Sequence, residues 1–163
     1  MKKYFVFRHD QRVQTQYPPE SPEATACEIV RVGFAEHLPM GFYSAIEADT
    51  AEMTFQSLKM PAVCSIELDQ TRIDLWHNSL SPVVDHLSDL SDAIDSARNS
   101  IADTLDSLIE AADECEALKD YDFGENINLE YAFSYLEPPS LTEFYQDVAE
   151  LFDIKYLAHA EQD

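Results

Sequence analysis

Only three glycines occur in 163 residues, too few for the Gly-rich turns on which phosphate-cradling loops depend. Three cysteines, Cys27, Cys64 and Cys115, are odd in number, widely spaced and without a CxxC pair. That pattern speaks against a disulfide framework or a thiolate zinc site and for reduced thiols in a cytosolic protein. The apolar run in MKKYFVFRHD is four residues long before Arg8, far short of a secretory signal's apolar region. No segment approaches the roughly 18 apolar residues of a membrane span, so a cytoplasmic location without membrane contact is expected. Positive charge is scarcest of all: ten Lys and Arg stand against 32 Asp and Glu, a net charge of −22.

What is present suffices for a core. Hydrophobic residues make up 45% of the chain, with nine Phe and eight Tyr, a composition that excludes wholesale disorder and suits one α+β domain over 1–163. The first 80 residues read as mainly extended. KYFVFR (3–8) is β-rich, QYPPESPEA (16–24) is a proline-rich loop, and CEIVRVGF (27–34) is a candidate strand. FYSAIEA and EMTFQSL, within 41–58, are either strands or part of a short helix. AVCSIEL (62–68) and TRIDLWH (71–77) alternate with period two about Asp69-Gln70 and predict a hairpin.

Ser81 before Pro82 has the form of a helix cap with proline in the first turn. From there Leu87, Ile94, Ile101, Leu108 and Cys115 recur every seven residues, with Leu90, Ala97, Thr104, Ala111 and Leu118 between them. This predicts a helix over 82–118, about 55 Å long, with an a/d seam. Ala97-Arg98-Asn99-Ser100 is its weakest stretch, where it would kink or fold into a hairpin. Alternation over 126–135 predicts one further strand. Ser140-Leu-Thr-Glu143 has the form of a capping box opening a C-terminal helix to about Leu157. No internal repeat is apparent.

The acidity is confined to this second half. Residues 1–80 hold 11 acids and 7 bases, whereas 81–163 hold 21 acids and 3 bases, Arg98, Lys119 and Lys155. Adaptation of a whole proteome to salt would spread the charge more evenly. On the predicted helix, Asp85, Asp89, Asp92, Asp95, Asp103, Asp106, Glu110, Asp113 and Glu116 share one outer face, with Glu114 beside the seam. A helix that buries its apolar stripe and wets the rest is the plainer account. Two features argue for more. Eight i,i+3 and i,i+4 pairs on this face are like-charged, at a cost of about 2–4 kcal/mol at low salt, a large share of a typical stability of about 5–15 kcal/mol. Seven of the ten acids between 85 and 116 are Asp, a poorer helix former than Glu that holds its carboxylate nearer the helix. A fixed charge pattern is the expected purpose, and these nine residues are the expected partner-binding site.

In character the acidic half resembles the nucleic-acid mimics of phages and mobile elements, the antirestriction proteins and anti-CRISPR inhibitors. These are small, acidic and cytosolic and array carboxylates in place of phosphates. The resemblance covers about residues 81–163 and lies in composition and pattern, not in a shared motif. It implies a stoichiometric, non-enzymatic inhibitor whose partner is a basic nucleic-acid-binding protein or complex, with no cofactor or metal and no direct contact with nucleic acid, which the negative field repels. The helix alone, at about one net charge per 5 Å, is sparser than duplex DNA at about one per 1.7 Å of axis. Duplex-like density, near one per 2.6 Å, requires the remaining C-terminal acids to share its face.

Rival readings are an immunity protein against a basic nuclease toxin and an acidic secretion chaperone. The a/d seam also allows a homodimer. Scattered histidines, no nucleophile motif and an oxygen-rich stretch DYDFGENINLE (120–130) that fails the EF-hand spacing give no enzyme or metal site a foothold.

Overall fold

The structure, a computed structural model, describes residues 1–12, 17–38, 41–49, 60–118, 120, 122–123, 127–137 and 140–157. It is an α+β protein divided into two compact units, one of residues 1–82 with 140–163 and the other of residues 83–139. The first unit is built on a four-stranded antiparallel sheet. Strand β1 (Lys2–His9) lies between β2 (Phe42–Glu47) and β3 (Cys64–Leu68), and β3 carries the short β4 (Lys155–Tyr156). The central place of β1 explains its unbroken apolar run. Tyr4, Phe5, Val6 and Phe7 are all buried, so both faces of the strand are covered. Phe5 and Phe7 pack with Ala62, Ile46, Met60 and Leu157 on one side.

Helix α1 (Pro22–Gly33) packs on the three long strands and on α5 (Thr142–Leu151). It replaces the strand expected at 27–34. The β-branched residues there suggested a strand, but Ser21 caps the preceding turn by accepting from the Ala24 amide at 3.2 Å. Pro22 follows at the first helical position and Glu23 lies in the first turn, and each favours a helix start. Once helical, Ala26, Ile29, Val30 and Gly33 fall on one buried face.

The expected hairpin is half right. Cys64–Leu68 is a strand, but the partner assigned to 71–77 is helix α2 (Gln70–Leu75). Asp69 accepts from the Arg72 amide at 3.0 Å, so the Asp-Gln pair read as a turn is a helix cap. Helical spacing then buries Ile73 and Trp76 together. The helix does not begin afresh at Ser81. It passes through a π-helical turn, Trp76–Leu80, into α3 (Ser81–Asp113), and Ser81 has helical backbone angles and donates back to the Trp76 carbonyl. Pro82 supplies the physical reason. Inside a helix it lacks the amide for the preceding turn and crowds the carbonyl four residues back, and a widened turn relieves both. The π turn is fastened to α1: the Trp76 indole N–H donates to Glu28 at 3.0 Å, and His77 Nε2 and Thr25 Oγ1 share a hydrogen bond at 2.9 Å.

Helix α3 is continuous through Ala97–Ser100, so neither the hairpin nor a break occurs there, and it ends at Asp113 rather than 118. The strand expected over 126–135 is instead helix α4 (Leu129–Ser134), whose Asn128 cap accepts from the Tyr131 amide at 2.8 Å. The final helix forms without the expected capping box. Leu141 is its cap residue and makes no side-chain bond, while Ser140 and Thr142 pair hydroxyl to hydroxyl at 3.4 Å and Thr142 donates to Glu36. It stops at Leu151, and within the stretch expected to prolong it to Leu157 only Lys155–Tyr156 are regular, as β4. EMTFQSL (52–58) lies outside the described residues.

Candidate functional site

Helix α3 has 33 residues and runs about 50 Å at 1.5 Å per residue. Asp85, Asp89, Asp92, Asp95, Asp103, Asp106, Glu110 and Asp113 are all exposed on it, and Glu116, in the turn beyond its end, is exposed too. At 100° per residue the eight helical acids occupy an arc about 120° wide. Among the described residues none of these eight forms an ion pair; the described pairs, Lys2–Glu47, Arg8–Asp10 and Lys155–Asp153, lie elsewhere. Arg98, the sole base between 81 and 118, sits about 120° round from the middle of the arc. Its guanidinium lies over the ring of Phe133, 5.2 Å from the centroid. Among the described residues the one base on α3 is thus held away from the carboxylates.

The expected seam is only partly covered. Leu87, Ile94 and Ala97 are half-buried, but Leu90, Ile101, Leu108 and Leu118 are 46%, 38%, 40% and 41% exposed, and Thr104, Ala111 and Cys115 are exposed as well. A strict seven-residue repeat drifts about 20° per heptad on a straight helix. The stripe that begins at Leu87 on the covered side has therefore swung into solvent by Leu108. The covered stripe holds Val84, Leu87, Ser91, Ile94, Leu105 and Ile109, and Ala112 alone is fully buried.

Helical geometry also reveals a short repeat. The spacing of Asp85, Asp89, Asp92 and Asp95, four then three then three, recurs 21 residues on at Asp106, Glu110, Asp113 and Glu116, with Leu87 and Leu108 in matching places. Aligning the acids, not the apolar residues, was the signal that would have found it. The helix places the two sets about 32 Å apart along the axis and turns one from the other by about 60°.

The acids after residue 139 do not belong to this unit. Glu143, Asp147, Glu150 and Asp153 fall in the first unit. Residues 83–139 hold 15 acids and two bases, net −13; α3 itself carries eight of those acids and Arg98, net −7, or about one charge per 7 Å. That is about half the density of one DNA strand, at about 3.4 Å per charge, and further still from that of a duplex. The same unit exposes an aromatic pair. Tyr131 and Tyr135 are 64% and 73% exposed, meet edge to face at 5.2 Å, and join hydroxyls at 2.8 Å.

Other places offer less chemistry. A cavity of about 160 Å³ is lined by Cys27, Glu28, Arg31, Gly41, Phe42 and Tyr43, smaller than the roughly 300–1,000 Å³ typical of ligand sites. Burial pushes its Cys27 thiol up to about 12, so it holds no thiolate at neutral pH. Among the described residues no three His, Cys, Asp or Glu gather to hold a metal ion, and no helix is long and apolar enough to cross a membrane. The chain matches no family model, and no similar protein is found among curated proteins or solved structures.

Proposed function

We propose that the protein is a stoichiometric, non-enzymatic inhibitor whose α3 carboxylates occupy the phosphate-binding groove of a basic nucleic-acid-handling complex, as antirestriction and anti-CRISPR mimics do. The observation that carries this reading is the isolation of the acid arc: eight exposed carboxylates with no ion-pair partner among the described residues, on a helix whose one base is turned away. Structural ion-pair networks neutralise such charge, and this arc leaves it to be matched from outside. The partner's Lys and Arg would meet it through charge-assisted hydrogen bonds and shed the anions they carry when unoccupied. The charge density favours a groove that tracks one strand over one that grips a duplex.

The test is capture from a bacterial lysate by the immobilised protein, compared with the variant Asp89→Lys, Asp92→Lys, Asp103→Lys, Asp106→Lys. The proposal expects nucleic-acid-binding proteins on the native chain and their loss from the variant. The same proteins on both would place the site elsewhere. An immunity protein would instead retain a single cognate toxin that added oligonucleotides leave in place.

A further inference from the structure

We propose that the open apolar stripe of α3, Val83, Leu90, Ile101 and Leu108, is the seam of a homodimer in which α3 packs along α3 of a second copy. These four side chains are 43%, 46%, 38% and 40% exposed. Their spacing of seven, eleven and seven residues brings them within about 20° of one another on a straight helix, in a line some 38 Å long. Leu90, Ile101 and Leu108 are the part of the heptad seam that lies off the covered side, and Val83 extends their line.

A helix draws most of its stability from packing its apolar face, yet α3 buries only Ala112 fully within its own chain. A partner that covers the remaining apolar face would add to that stability. Charge indicates which kind. The middle of the stripe lies about 170° round from the middle of the acid arc. A cationic partner is thereby directed to one side of the helix and an uncharged one to the other. A second copy brings the same stripe by two-fold symmetry and leaves both acid arcs outermost, where two copies of charge −22 repel least. A stripe about 38 Å long on a helix about 11 Å wide covers roughly 400 Å² per copy, half that of a standard interface. The dimer is therefore weak and concentration-dependent.

Sedimentation equilibrium of the full chain from 2 to 500 µM, in 0.05 and 0.5 M NaCl, tests this. A monomer–dimer equilibrium is expected, several-fold tighter at the higher salt because screening relieves the repulsion. Leu90→Glu with Leu108→Glu, a change of exposed side chains, should give a monomer throughout. Asp92→Asn with Asp106→Asn should tighten the dimer in low salt, a readout that survives even if the leucine variant fails to fold. A monomer at every concentration and salt, a dimer that salt loosens, or a dimer that persists in a folded leucine variant would each overturn the seam.

Discussion

At Gly33 the chain has room for hydrogen and nothing larger. A Cβ there would stand 2.7 Å from Ile154 Cδ1 and 3.3 Å from two backbone atoms of Ala149. The isoleucine tip can swing aside, but the backbone of α5 cannot, so α1 and α5 touch through this glycine. Gly33→Ala should cost about 1–3 kcal/mol, the usual range for overpacking, read as a lower urea midpoint. An unchanged midpoint would show the contact to be loose. The thiols give a second residue-scale prediction. Burial pushes both Cys27 and Cys64 up from 9.0 to about 12, while Cys115 is exposed. A thiol reagent at pH 8 should therefore label Cys115 quickly, half-buried Cys27 slowly and buried Cys64 only on unfolding. Between pH 9 and 12 the unfolded chain releases thiol protons that the folded chain retains, so stability should fall as pH rises through that window and be complete below it. Buried Tyr4 acts in the same direction. Urea midpoints at pH 7.5 and 10.5 measure the fall, and Cys64→Ala should lessen it; equal midpoints would mean the thiols are not sealed.

At the scale of elements, α3 pairs a structural cost with a proposed use, and the two can be separated. Asp92→Lys and Asp106→Lys convert four repulsive pairs, 89/92, 92/95, 103/106 and 106/110, into attractive ones. Together they should stabilise the helix by about 2–4 kcal/mol at low salt, seen as a higher melting temperature by far-UV circular dichroism, while weakening capture of the partner. Stabilisation with capture intact would mean the pattern serves solubility alone. The same elements show how much was legible beforehand. The long helix, its charged outer face, β1 and β3 followed from apolar pattern and turn residues, while FYSAIEA, open between strand and helix, is β2. The failures share one cause. At 27–34, 71–77 and 126–135 the β-rich or alternating side chains suited a strand, and a single capping side chain, Ser21, Asp69 or Asn128, tipped the backbone to helix. Ser81-Pro82 has the form of a helix start, and a π turn five residues long that carries the helix through it has no signature in propensity. Eight of the nine carboxylates lie on one exposed helical face and Glu116 lies beyond the helix end, while the apolar side departs from the heptad, since a heptad and a straight helix part company over five repeats.

For the molecule as a whole, charge is divided between units. Residues 83–139 hold a net −13, and the remaining −9 lies with the sheet-bearing unit. Salt should therefore act in opposite directions on the two proposed associations. It weakens capture of a cationic groove steeply, with a log–log slope of several units if several phosphate seats are filled, and it strengthens self-association through an uncharged seam. A single trend in both would show that one surface serves both.

The most direct measurement takes a protein captured by the immobilised chain and adds single-stranded DNA in increasing amounts at fixed salt. Carboxylates seated where phosphates belong require mutual exclusion: the DNA should release the captured protein completely, and the native chain in turn should strip that protein from DNA. Simultaneous binding of DNA and this chain to the same captured protein would contradict the claim that α3 stands in for a phosphate backbone.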